Sequence, residues 1–79
     1  MAEAIARDVK GHVALLGPEI GGMRPIGFVI RHGDQVRLKA TDPEVIARAE
    51  TALESGECLE IFYEDKPEGP FDGILFHIC

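Results

Sequence analysis

The sequence predicts a small α+β domain, built as three strands, a helix and two strands, with an optional short helix at the N-terminus. Three observations lead there. Apolar and polar residues alternate over Gln35 to Ala40, Leu59 to Glu64 and Gly73 to Ile78, the period of strands with one face turned inward. Between the first and second of these runs, Val45, Ile46, Ala49, Ala52 and Leu53 recur along one face of a helix. Glycine- and proline-bearing segments separate the runs. The order fits an OB-like barrel, in which a helix lies between the third and fourth strands, and equally a small open antiparallel sheet with the helix across one face.

Taken in order, residues 2–9 contain good helix formers but no cap and barely two turns, so they are expected to be a short helix or a frayed end. His12 to Leu16 reads as a short strand closed by Gly17-Pro18, after which a flexible loop runs through Gly21-Gly22 to Pro25. Ile26 to Arg31 is apolar on both faces, with Ile26, Phe28 and Ile30 on one and Val29 on the other, as a central strand requires. The turn His32-Gly33-Asp34 leads into Gln35 to Ala40, where Val36, Leu38 and Ala40 point inward against Arg37 and Lys39.

Thr41-Asp42-Pro43-Glu44 has the form of a capping box, with Thr41 as the cap and Glu44 bonding back to its amide, and Pro43 loses no helical hydrogen bond in the first turn. The helix is expected over about residues 42–55, with Gly56 as its left-handed stop. The last two strands are joined by the polar loop Asp65 to Asp72. With Glu64 opposite Gly73, their core face holds Leu59, Ile61, Tyr63, Ile74, Phe76 and Ile78.

Composition narrows the function classes. The chain of 79 residues is expected to be a single domain over 1–79, near the size below which a core alone struggles to offset chain entropy, so a homo-oligomer is expected. A formal charge of −6 argues against capture of a phosphate backbone, and the few aromatic residues argue against a base-stacking platform; no nucleic acid is expected as a partner. The apolar runs are far shorter than the roughly 20 residues of a membrane span. The charged N-terminus is unlike a signal peptide. No membrane association and a cytoplasmic location are therefore expected. Residues 1–40 carry six Lys/Arg and four Asp/Glu, and residues 41–79 carry two and ten. Such asymmetry can orient a protein partner or a second copy, although a solvated surface needs no partner.

The chemistry-bearing residues cluster on the outer face of the last hairpin. In the register above, Cys58 stands opposite Cys79 and Glu60 opposite His77. Four readings follow. These side chains could ligate zinc, Cys58 and Cys79 could form a disulfide, or Cys58 could be a nucleophile with His77 as base and Glu60 orienting it. The fourth is that all four decorate a half-exposed sheet face, the cysteines acting as small apolar residues. The glycine-rich loop lacks a phosphate-binding Lys-Ser/Thr pair. Its Ile20 and Met23 suit contact with another protein, and Arg37 and Lys39 suit an anionic ligand or an acidic surface.

Pro25-Ile26-Gly27-Phe28-Val29-Ile30-Arg31-His32-Gly33-Asp34 and Leu59-Glu60-Ile61-Phe62-Tyr63-Glu64-Asp65 resemble strands of the WYL-type ligand-sensing domains of bacterial regulators. Their order along the chain differs from that family. Val36-Arg37-Leu38 stands where the Trp-Tyr-Leu signature would sit, so the resemblance assigns neither family nor ligand. The leading expectation is a non-enzymatic protein-interaction module that self-associates through its sheet edges and acidic second half. A metal or small-ligand binding domain on Cys58, Glu60, His77 and Cys79 is the alternative, and a cysteine-dependent enzyme the third.

Overall fold

A computed structural model describes residues 5–30 and 33–79. The elements are β1 (Ile5–Leu16), β2 (Arg24–Ile30), β3 (Gln35–Ala40), α1 (Pro43–Ser55), β4 (Leu59–Glu68) and β5 (Phe71–Ile78). The five strands close into a barrel in the order β1-β2-β3-β5-β4. Every pairing is antiparallel except β3 with β5. This is the connectivity of the OB-type barrel rather than of an open sheet. Closure also removes the long free edges through which an open sheet would associate.

The N-terminal segment departs from expectation. From Ile5 onward it is strand, and residues 2–4 of the expected helix lie outside the described residues. An uncapped helix of two turns has little stability of its own, whereas this stretch pairs with β4 from Ile5↔Asp65 to Gly11↔Leu59. Tertiary pairing overrides local propensity. Arg7 adds a side-chain link, Nε and Nη2 donating to Asp65 Oδ2 at 3.2 and 3.0 Å.

Gly11 is the pivot of β1. It pairs with Leu59 of β4 and with Ile30 of β2, so the strand changes partner there and bends to serve both sides of the barrel. A side chain would prevent this, because a Cβ on Gly11 would collide with the Val29 carbonyl oxygen and lie 2.9 Å from Ile30 Cα. A second irregularity follows between Val13 and Leu15, leaving Ala14 as the extra residue and turning both Ala14 and Leu15 to solvent.

The β1–β2 connection is an ordered hairpin tip rather than a flexible loop. Ile20 and Met23 exchange both backbone bonds, at 2.8 and 3.1 Å, across Gly21-Gly22. The two glycines have φ of 59° and 80°, the two-residue type I′ geometry. Arg24 ties the base of this hairpin to its neighbours, its Nε donating to the Gly17 carbonyl at 2.9 Å and its Nη1 lying 3.5 Å from Glu50 of α1. β2 and β3 form the expected hairpin, from Arg24↔Ala40 to Val29↔Gln35. Arg31 and His32 of their connection lie outside the described residues.

The helix begins one residue later than the capping box implies. Asp42, with ψ of 119°, is the N-cap, its Oδ1 accepting from the Glu44 amide at 2.9 Å. Pro43 accounts for this, since the residue before proline is pushed to extended backbone, which is the N-cap conformation. Asp42→Ala is expected to cost about 1 kcal/mol in urea unfolding, and Thr41→Ala less than about 0.5 kcal/mol. Equal losses would show that Thr41 shares the cap. Gly56 ends the helix at φ of 70°, its amide donating to the Ala52 carbonyl. Val45, Ala49 and Ala52 are buried and Ile46 is half-buried, while Leu53 at the margin of the same face stays partly exposed. No helix among the described residues is long and apolar enough to cross a membrane.

Inside the barrel, Ile26, Phe28, Leu38, Leu59 and Ile61 are fully enclosed, and α1 adds its buried residues to the same core. β4 points inward as expected, through Leu59, Ile61 and Tyr63. β5 does not follow the expected phase. Glu64 faces Ile74 rather than Gly73, a slip of one residue, and Phe62 faces His77, a slip of two. Phe76 falls between the pairs Tyr63↔Leu75 and Phe62↔His77 and has no cross-strand partner. This bulge turns Leu75 and Ile78 inward, three residues apart, and leaves Phe76 48% exposed and Ile74 only half-buried. Gly73 fixes the register, because a Cβ there would collide with the Glu64 carbonyl oxygen and come within 2.9 Å of Tyr63 Cδ2.

Candidate functional site

The register of β4 and β5 decides what the last hairpin can do chemically. Cys79 exchanges backbone bonds with Glu60, at 3.0 and 3.1 Å, so it faces Glu60 and not Cys58. His77 faces Phe62, their rings 5.5 Å apart, and its Nε2 lies 3.0 Å from Cys79 Sγ. Cys58 belongs to a different place, a hollow of about 260 Å³ beside Lys10, Gly11, His12, Val29 and Ile30. Both cysteines are free and exposed. Cys58, Glu60, His77 and Cys79 therefore do not form the four-ligand surface expected for zinc. No group of three or more His, Cys, Asp or Glu among the described residues could hold a metal ion. The expected pairing of a Cys58 nucleophile with His77 is likewise replaced, the imidazole being engaged with Cys79.

A second surface is concave. It lies where β1, β2 and β3 meet the β4–β5 turn and encloses about 410 Å³, lined by Ala14, Leu15, Gly27, Phe28, Gln35, Val36, Arg37, Pro70 and Asp72. Its shape follows from three local features. The bulge at Ala14 turns Leu15 outward. Gly27, paired with Leu15 on one side and Arg37 on the other, presents no side chain between them. Asp72 Oδ2 accepts the Arg37 backbone amide at 2.9 Å, drawing the β4–β5 turn against β3 as the far wall.

The barrel closes only narrowly beside this hollow. β3 and β5 are paired at Leu38↔Gly73 and Lys39↔Ile74 alone, so Gln35 to Arg37 run along it without a strand neighbour on that side. The lining combines an apolar wall, a guanidinium, a carboxylate and a side-chain amide.

Of the four expected contact residues, Arg37 alone lines this hollow. Ile20 stands 64% exposed at the hairpin tip. Met23 is half-buried as its bridge partner. Lys39 is occupied, with Nζ 3.0 Å from Glu68 Oε1 and 5.9 Å from the Phe71 ring centre; this bond holds the Glu68 carboxyl below its usual range. Leu15, Gly27 and Asp72 line the hollow without being among the expected contact residues. An outward Gly between two strand neighbours is a usable signal for a dip, but the bulge that exposes Leu15 and the turn that delivers Asp72 have none.

The charge asymmetry is used in part within the chain. Arg7–Asp65, Arg24–Glu50 and Lys39–Glu68 each join a base of residues 1–40 to an acid of residues 41–79. A fourth pair, Arg48–Glu57, lies within the second half, where Arg48 and then Ser55 hold the Glu57 carboxyl below its usual range. Among the described residues, the Arg37 guanidinium has no carboxylate at ion-pair distance. No family model, curated protein or solved structure matches the chain.

Proposed function

We propose that this chain is a non-enzymatic protein-interaction module, and that its contact surface is the hollow between β1–β2–β3 and the β4–β5 turn, with a second copy of the chain as partner. The observation that carries the reading is the exposed Leu15, at 58%, standing over the gap at Gly27 beside the unneighboured start of β3. Burying a Leu-sized side chain is worth about 1.5–3 kcal/mol, and the start of β3 beside it has no strand neighbour, the Arg37 amide being held by the Asp72 side chain instead. The sheet edges first expected to mediate contact are shortened by closure, and the start of β3 is one stretch that stays without a strand neighbour. The charge complementarity first expected is weakened by the internal ion pairs.

Sedimentation at tens of micromolar tests the proposal. The expected result is a reversible dimer whose dissociation constant rises about tenfold or more in Leu15→Asp, the loss of one well-packed anchor. Leu15 is exposed, so the substitution leaves the core intact. A parent chain that stays monomeric overturns self-association, and a dimer indifferent to Leu15→Asp overturns the assignment to the hollow.

A further inference from the structure

The β5 register that sets Cys58 apart from Cys79 creates a different arrangement, a thiol with a base in contact. We infer that Cys79 and His77 form a reactive dyad whose substrate is a low-molecular-weight disulfide, making Cys79 a site of reversible thiol–disulfide exchange. His77 lies near the end of β5 and Cys79 just past it, its backbone still paired with Glu60, so the two, two residues apart, share one outer face. His77 Nε2 is 3.0 Å from Cys79 Sγ, within hydrogen-bond distance, and in the tautomer that leaves Nε2 without a proton the thiol donates to it. Neither group is loose. The Phe62 ring stands against the imidazole, and paired backbone bonds to Glu60 hold Cys79 in the ladder. Both side chains are exposed, so a small disulfide reaches the sulfur without opening the barrel.

The exchange balances without a further oxidant. The Cys79 proton passes to His77 Nε2 as Sγ attacks one sulfur of the small disulfide. The Sγ–S bond forms, the original S–S bond breaks, and the departing thiolate keeps the electron pair and takes the proton from the imidazolium. One thiol and one disulfide give one mixed disulfide and one thiol. The charged groups nearby are Glu60 across the strand pair, Lys10 and Asp8 of β1 beside Glu60 and Phe62, and Asp42, Glu44 and Arg48 of α1 across an adjoining hollow of about 220 Å³, four carboxylates against two cations. Arg48 is already paired with Glu57, so carboxylates dominate. A cationic disulfide is therefore the appropriate probe.

The full chain carrying Cys58→Ser leaves Cys79 as the single thiol. Its rate of mixed-disulfide formation with cystamine at pH 7, followed by intact mass with a chelator present, is compared with the same chain carrying His77→Asn. An unactivated thiol is only a few per cent ionised at this pH, which leaves room for roughly 30-fold acceleration; the expected loss in His77→Asn is about tenfold. His77 is exposed, and an unchanged melting curve establishes that the variant is folded. Unfolding the parent in urea is expected to remove the same factor. Rates within about twofold of each other in parent and His77→Asn overturn the dyad.

Discussion

Gly73→Ala is expected to prevent the barrel from closing in its native register, and Gly11→Ala to do the same at the opposite seam. At both positions the obstructing atoms are backbone. A methyl on Gly73 would clash with the Glu64 carbonyl oxygen, and one on Gly11 with the Val29 carbonyl oxygen. A clash with a side-chain tip is relieved by a rotamer change, but here relief requires separating two hydrogen-bonded strands. Ordinary overpacking of a core costs about 1–3 kcal/mol, and these substitutions belong at or above the top of that range. A domain of this size has only about 4–12 kcal/mol to lose. Urea unfolding monitored by circular dichroism reads the effect directly. A midpoint within about 0.5 kcal/mol of the parent for either variant would show that the strands do not approach as closely as described.

Phe28→Ala is the second large effect, expected at about 3–5 kcal/mol. Phe28 is 1% exposed and is the largest fully enclosed side chain of the barrel. It sits on β2 opposite Val13 of β1 and Val36 of β3, so its removal opens a cavity that three paired strands cannot collapse to fill. Because Phe28 also underlies the hollow, the floor of the proposed contact surface should soften with the core. Phe28→Leu, which keeps most of the volume, is expected to recover more than half of the loss. A Phe28→Ala midpoint close to that of the parent would mean that the core does not converge on this residue.

These two results bear on how function is placed in so small a barrel. The residues that make the hollow concave, Ala14, Gly27 and Asp72, are consequences of how the strands close rather than side chains of distinctive chemistry. The dyad of His77 and Cys79 likewise depends on the bulge at Phe76. Without that bulge Phe62 would not face His77, and the ring that steadies the imidazole would lie elsewhere.

Much of the fold was legible in the chain because the signals are local. Gln35 to Ala40 alternates because one face is inside. Pro43 and Gly56 bound a helix because one lacks an amide needed nowhere else in the first turn and the other accepts a left-handed backbone. Val45, Ala49 and Ala52 follow the helical period into the core. What the sequence left open was settled by pairing across distance. Residues 5–9, the described part of the segment expected as a short helix, pair with β4 and are strand. The alternation of Gly73 to Ile78 is interrupted by Leu75 between Ile74 and Phe76, so the face it predicts inward is not secured by pattern alone, and the close approach at Gly73 together with the bulge at Phe76 chooses. The ladder then separates Cys58 from Cys79 and brings His77 to Cys79. The sequence by itself determined which segments are strands and helix over most of the chain, since hydrophobic period and backbone stereochemistry act within a few residues. Only the tertiary structure decided barrel closure, register and the neighbours of each reactive side chain, because a shift of one residue between strands exchanges inside for outside without altering any local preference.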